Sequence, residues 1–448
     1  MITRHILTIP ETGRKVHYRR SGNGPVLLMA HQSPTSSKEY EPLMREWGGH
    51  FTCIAPDTPG FGQSDPLSGE PEIGEFADAL AEFVNAMGIA GCAAYGFHSG
   101  GIILVGAVKR YPKLFSCLAV GGYAIWTDDE MRIFGESYLP EFRPSAYGEH
   151  LAWLWNRVLE QSWFFPWFDT RDEARLPGPH SDLERASLTV TCLLDSGSAY
   201  RAGYGAVLRA PRDIPDADAP TPPVLITAYQ GDPLQPHIDR LGEMPANWSA
   251  RKVKTPSDQQ AASLAFLQQH AAPGDSPDLP EDPTEGWVSV GDALIHWRGT
   301  PGARRLITHA PADELSDPGA DEIAIDVPGH GLSDDVGDIA LSVEQAADAL
   351  GASEIVWATP PQGDTDLLYP DVSPHRFGEH LQRAWGAARA EVFFKPWYVA
   401  SRDNAIPVNQ EALEPAALAL RARARLRAGA AARQWHDALV ARKKGQTQ

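Results

Sequence analysis

Residues 92–101 read CAAYGFHSGG, a short run of small and apolar residues that breaks into a turn bracketed by Gly96 and Gly100, with His98 between them. Where a strand turns sharply into a helix the two backbones meet at close range, so the positions two before and two after the tip must be small. That spacing puts His98 at the tip. The other register puts Ser99 there and forces the Phe97 ring against the helix. Upstream, VLLMAH (26–31) and FTCIAPD (51–57) are apolar runs ending in polar residues, and a helical stretch follows from Ile73 to Met87. Downstream, 127–212 is a Trp- and Phe-rich helical region and PVLITAYQ (223–230) returns to strand character. Continuous apolar strands alternating with amphipathic helices predict an α/β fold, a parallel sheet covered on both faces.

The remaining composition narrows the function classes. With 58 acidic against 39 basic residues the 448-residue chain carries a formal charge of −19, which disfavours nucleic-acid and membrane-surface partners. The basic stretch near the end, Arg421, Arg423, Arg425, Arg427 and Arg433, reads as a helix face docking on acidic surface. No apolar run approaches the roughly 20 residues of a membrane span, and the N-terminus lacks a signal-peptide core. Cys53, Cys92, Cys117 and Cys192 stand far apart in apolar contexts and read as buried hydrophobes of a reducing compartment, so a cytoplasmic location is expected. Neither a metal-ligand spacing nor a phosphate or dinucleotide loop is visible, so no metal and no cofactor is expected.

Beyond a Pro-, Asp- and Gly-rich stretch the chain echoes itself. HYRRSGNGPVLLMAHQSP (17–34) returns as HWRGTPGARRLITHAP (296–311), and CIAPDTPGFGQSD (53–65) as IAIDVPGHGLSD (323–334). YGEHLAWLW (147–155) returns as FGEHLQRAW (377–385), with His150 and His380, and Trp167 and Trp397, each 230 residues apart. The expected organisation is a first copy over 1–272 with a helical lid at about 127–212, a linker at 273–286, and a truncated second copy over 287–448.

The order of HQSPTSS (31–37), DTPGFGQSD (57–65) and YGFHSGG (95–101) resembles the α/β-hydrolase superfamily across 15–270, with a degenerate partial copy across 287–440. The resemblance implies an α/β-hydrolase fold with a lid and a nucleophile at the elbow. The expected Ser, Asp and His of that family are replaced here by His98, Asp232 and Asp258, because no histidine stands in ARKVKTPSDQQ (250–260). A carboxylate beside an imidazole makes a general base, so His98 would take a proton, with Asp232 or Asp258 orienting it. Backbone N–H groups near Gln32, Ser33 and Ser99 would form an oxyanion hole, with His31 shaping that loop. Ser99 would be the nucleophile only in the other register. His150 with Trp153, Trp155, Trp163, Phe164, Phe165 and Trp167 would line an aromatic lid pocket above His98, with Arg157 a candidate for a role confined to the first copy, whereas Asp57 would cap its turn. Arg157 is replaced by Ala387 in the second copy, which lacks an elbow and reads ATPPQG (358–363) instead.

These readings point to a cofactor-independent enzyme acting on a hydrophobic carbonyl compound (an ester, lactone or ketone), with hydrolysis the expected reaction. Lyase, dehydratase or isomerase chemistry with His98 as base is one alternative, and a ligand-binding pseudoenzyme is another. The expected partner is a small-molecule substrate. The fused second copy would stand in for a subunit, giving a monomer or a homodimer of two-copy chains.

Overall fold

A computed structural model describes residues 1–445, the side chain of Glu136 excepted; residues 446–448, to which the second copy was expected to extend, lie outside it. By its contacts the chain forms two units. The first comprises 1–142, 157–181 and 188–281, the second 143–156, 182–187 and 282–448. The division does not follow the expected boundary at 272. Two stretches of the helical region, 143–156 and 182–187, count with the second unit because their packing partners lie there.

The first unit holds an eight-stranded sheet: β1 (Ile2–Thr8), β2 (Lys15–Ser21), β3 (Val26–Ala30), β4 (Thr52–Pro56), β5 (Cys92–Phe97), β6 (Phe115–Gly121), β7 (Val224–Tyr229) and β8 (Trp248–Val253). Their spatial order is β1-β2-β4-β3-β5-β6-β7-β8. β2 runs antiparallel to β1 and β4, and β4, β3, β5, β6, β7 and β8 run parallel. As the continuous apolar runs require, β3, β4, β5 and β7 are buried almost throughout. Helices Ile73–Ala86 and Ser99–Arg110 cover one face and share a core with Leu28, Ala94 and Val120. The four cysteines are buried free thiols.

The second unit holds a five-stranded sheet: β9 (Glu285–Val290), β10 (Ala293–Gly299), β11 (Arg305–Thr308), β12 (Glu322–Ile325) and β13 (Glu354–Val356). Its order, β13-β11-β12-β10-β9, has the same connectivity as β5-β3-β4-β2-β1 of the first sheet, again with antiparallel pairs at β9–β10 and β10–β12. β9 begins inside the stretch expected to be linker. Its first residue, Glu285, is buried and binds the Arg298 guanidinium at 2.7 Å and His296 at 3.2 Å, which ties the chain into the sheet. The Arg-rich helix of this unit, Pro415–Ala428, pairs Arg425 with Glu391 and Arg423 with Glu314, so its charge is used locally.

Within the second unit the repeated Gly-Glu-His-Leu segments face one another with a two-fold relation. The Trp155 indole N–H donates to the Arg376 carbonyl at 3.0 Å, and the Trp385 indole N–H donates to the Ala146 carbonyl at 3.4 Å. Trp155 meets His380 edge-on at 4.9 Å between ring centroids, and Trp385 meets His150 at 5.0 Å. Each pair of contacts is one contact exchanged between positions 230 apart, the signature of an isologous interface. Gly148 and Gly378 have φ of +80° and +73°, and a Cβ at either would sit 2.9 or 2.8 Å from the facing indole. Both constraints exclude a side chain there. Gly148→Ala and Gly378→Ala are each expected to lower stability by roughly 1–3 kcal/mol, similar at the two positions, as read by thermal unfolding.

Burial pushes His150 and His380 down to about 4. Each accepts at Nδ1 from a backbone N–H, that of Ser145 or His375, at 3.2 Å, so each is held neutral. A folded value below that of the unfolded chain means the unfolded state binds more protons between about pH 6.5 and 4. Stability is therefore expected to fall as pH drops through that window. His150→Gln combined with His380→Gln should flatten the slope of unfolding free energy against pH.

Candidate functional site

β5 delivers the chain to a turn at which His98 has φ +47° and ψ −115°, and the helix Ser99–Arg110 starts at the next residue. This conformation is costly for a non-glycine residue and persists only where its surroundings enforce it. The His98 N–H donates to the Gly121 carbonyl at 2.8 Å, and the His98 carbonyl accepts from the Ile102 N–H at 3.1 Å. A Cβ at Gly96 would lie 2.8 Å from the Gly100 carbonyl carbon and the Gly101 nitrogen, and one at Gly100 would overlap the Ala30 carbonyl. The tip thus stands between Gly96 and Gly100, with Ser99 already the first residue of the helix.

The His98 ring is held on two sides. Phe97 stacks on it at 4.0 Å, and its Nε2 lies 3.2 Å from both carboxylate oxygens of Asp232. Gly122, at φ +62°, closes a third side: a Cβ there would stand 2.7 Å from His98 Nε2 and 2.8 Å from an Asp232 oxygen. Asp232 follows β7, is buried, and accepts the Leu234 N–H at 2.8 Å. Burial raises the Asp232 carboxyl, but the neighbouring His98 and the Leu234 N–H outweigh it and hold the group below the ordinary carboxylate value. An ionised Asp232 accepts a proton-bearing Nε2, which leaves the lone pair on Nδ1.

Asp258, expected beside His98, does not belong to the site. It is exposed and forms a capping box: its N–H donates to Thr255 Oγ1 at 3.0 Å and its carboxylate accepts the Thr255 N–H at 3.1 Å. The sequence Thr-Pro-Ser-Asp is a helix start, and that local use of the carboxylate prevails over a distant one.

The oxyanion loop also differs from expectation. The Gln32 N–H donates to Glu39 Oε1 at 2.8 Å, and the Ser33 N–H donates to Ser99 Oγ at 2.5 Å, so both donors are engaged within the protein. His31 is a structural bridge: Nδ1 meets the Gln32 carbonyl at 2.9 Å and Nε2 accepts the Thr58 N–H at 2.8 Å. Asp57 anchors the following loop, accepting the Ser37 and Gln63 N–H groups and pairing with His17 Nδ1 at 2.8 Å.

His98, Ser99, Gln32 and Ser33 open into a cavity. Its apolar wall includes Ile102, Trp126, Phe165 and Leu234, and Gln161, Tyr138 and Tyr204 add polar groups. Of the expected lid residues, Phe165 lines the cavity, Arg157 stands behind Gln161, and His150, Trp155 and Trp167 are elsewhere. His150 and Trp155 face Trp385 and His380 in the second unit. Trp167 turns its indole N–H to the Tyr138 carbonyl at 3.0 Å and its ring to the Arg157 guanidinium at 5.3 Å. Sequence reasoning missed Trp126 and Tyr138, which flank helix Asp128–Ser137, and Gln161 and Tyr204, which come from helices Glu149–Gln161 and Ala199–Leu208, with no shared pattern. Pro233 and Leu234 carried a signal, as the two residues that follow Asp232.

The sequence model of the α/β hydrolase fold matches residues 25–262. The chain belongs to the α/β-hydrolase family. It is 31% identical over 135 residues to haloalkane dehalogenase 2 of Mycobacterium tuberculosis, a match covering 30% of this chain and 47% of that protein. It is 26% identical over 107 residues to (E)-2-((N-methylformamido)methylene)succinate hydrolase of Acinetobacter baylyi, covering 24% of this chain and 41% of the relative. The chain thus spans less than half the length of these curated relatives. Among solved structures, an esterase from Thermogutta terrifontis is matched over 60% of this chain and 99% of its own at 17% identity, with a TM-score of 0.43. No helix among the described residues of this α/β-hydrolase member is long and apolar enough to cross a membrane.

Within the family frame, the two carboxylates separate cleanly by experiment. Asp258→Ala is expected to cost about 1 kcal/mol of stability through the lost cap and to leave ligand binding and turnover intact. Asp232→Ala should abolish turnover, as measured in parallel with unfolding of both variants.

Proposed function

We propose that the chain is a cofactor-independent hydrolase of apolar carbonyl compounds, esters or lactones, in which His98 is the general base. The observation that carries this reading is the His98–Asp232 pair at 3.2 Å on a strained turn at the floor of an apolar cavity. Asp232 fixes the Nε2 proton, so Nδ1 takes a proton from a water molecule as the water oxygen attacks the carbonyl carbon. The Ser99 hydroxyl accepts from the Ser33 N–H and keeps its own proton to donate to the carbonyl oxygen as negative charge develops there. The imidazolium then returns the proton to the leaving alkoxide, and the carboxylic acid and alcohol depart.

A second reading, proton abstraction beside the carbonyl in a lyase or isomerase reaction, uses the same base. It is favoured by the engagement of the Gln32 and Ser33 N–H groups, since an enolate needs less oxyanion stabilisation than a tetrahedral adduct when Ser99 alone donates. The second half of the chain, in this proposal, is a degenerate copy retained as scaffold. Support comes from the shared strand order and from a conserved buried arrangement: His296 pairs with Asp326 at 2.8 Å as His17 does with Asp57. The Gly-Glu-His-Leu interface then stands for the contact between subunits of a dimer, and the full chain is a monomer or a dimer of two-copy chains, acting in the cytoplasm without nucleic-acid or membrane partners.

Turnover of p-nitrophenyl esters and simple lactones tests the reading. His98→Ala is expected to lose about 10²–10⁴ in rate and Ser99→Ala about tenfold, with no fluorophosphonate adduct on the wild type by intact mass. An adduct that disappears in Ser99→Ala would instead establish serine nucleophilic chemistry and overturn the assignment of His98.

A further inference from the structure

Arg157 is 1% exposed, and its guanidinium makes one hydrogen bond, from Nη1 to Gln161 Oε1 at 2.9 Å. Nε and Nη2 are buried with no partner. The chain carries 58 carboxylates, and among the described residues none is paired with this guanidinium. A buried arginine is ordinarily paired, since stripping its water costs more than the stack on Trp167 at 5.3 Å returns. Its surroundings connect it to the cavity. Gln161, which it binds, lines the cavity, and so do Tyr138 and Tyr204, whose hydroxyls lie 3.3 Å apart. Burial raises both tyrosines, and the Arg157 charge opposes that rise at each, so the cation acts directly on this end of the wall. The equivalent position of the second half, 230 residues on, is Ala387, in a half that has no elbow.

We infer that Arg157, with Gln161 and the Tyr138–Tyr204 hydroxyl pair, forms an anion subsite of the cavity, and that the substrate is an apolar molecule carrying a carboxylate as well as the reactive carbonyl. The inference deepens the proposed function by naming the substrate's second group. The guanidinium stands behind the wall and holds Gln161 by its Oε1, which leaves the Gln161 amide N–H groups and the tyrosine hydroxyls to donate to a carboxylate in the cavity, with the Arg157 charge favouring that anion. The apolar wall between the ends takes the body of the substrate, and the charge fixes which end meets His98. Arg157 is here a specificity-determining residue, with no part in the proton transfers.

The test is binding of 4-phenylbutyrate and its uncharged isostere 4-phenylbutanamide to the full chain by calorimetry, with turnover outside the readout. Wild type is expected to bind the carboxylate about tenfold or more tightly than the amide. Arg157→Met should lose that preference while folding at least as well, since an apolar side chain of similar volume replaces an unpaired buried charge. Arg157→Lys, which keeps the charge without the guanidinium, should retain only part of it, and unfolding curves check that each variant is folded. His98→Ala should keep the full preference, so failure of the proposed chemistry leaves the subsite standing. Equal affinity for the two probes in wild type, no saturable carboxylate binding, or a preference that survives in Arg157→Met would each overturn the subsite.

Discussion

The close approach of three backbone segments around His98 is the constraint on which the site depends. Gly96, Gly100 and Gly122 have no room for a Cβ, and only that absence lets β5, the following helix and the loop after β6 converge on one imidazole. The convergence holds φ at +47° on a residue that would otherwise avoid it. The consequence is chemical. A side chain on this turn is lifted from the sheet's end toward the loop that follows β7, where Asp232 waits buried and ionised. A serine there would stop short of that carboxylate. An imidazole is long enough to reach it, so one residue occupies the space that the family ordinarily fills with two.

A second constraint is the buried imidazole–carboxylate pair at the sheet edge, and it occurs twice. His17–Asp57 and His296–Asp326 each tie the strand beside the edge hairpin to the loop after the fourth strand, at 2.8 Å in both cases. In both, the carboxylate also accepts loop N–H groups, those of Ser37 and Gln63 or that of Leu332. Burial raises Asp57 and Asp326, yet the facing histidine, with Arg19 nearby at Asp57 and the Leu332 N–H at Asp326, brings both below the ordinary carboxylate value. Such a pair costs more to break than to keep, because removing one partner leaves the other charged and dry. The same pair is present in the second half, which reads ATPPQG (358–363) rather than an elbow sequence. The networks that shape loops are present there, whereas His98, which lines the cavity, and Arg157, behind Gln161 in its wall, have no counterpart.

Most of the architecture was legible because it rests on local patterns. Apolar runs marked the strands, and the glycine bracket placed the tip at His98. Repeated motifs implied two similar halves. The errors share one cause: a residue type was read for a distant task when a near neighbour had already claimed it. Asp258 caps its own helix, and the Gln32 and Ser33 N–H groups serve Glu39 and Ser99. The aromatic lid failed differently. His150 and Trp155 are spaced like a pocket lining, but helical spacing describes only which face is apolar, and here that face meets Trp385 and His380 of the segment with the same Gly-Glu-His-Leu sequence.

What the sequence alone determined is therefore the four apolar strands β3, β4, β5 and β7, the turn at His98 and the internal echo, all governed by steric and hydrophobic rules that act within a few residues. Tertiary structure decided which polar groups meet: Asp232 rather than Asp258 on His98, Tyr138 and Tyr204 together in the cavity wall, and Arg157 buried without a carboxylate. The reason is physical. A buried polar group is satisfied by whatever the fold brings within hydrogen-bond distance, and that choice is made by packing between segments more than a hundred residues apart, as with His98 and Asp232, and not by spacing along the chain.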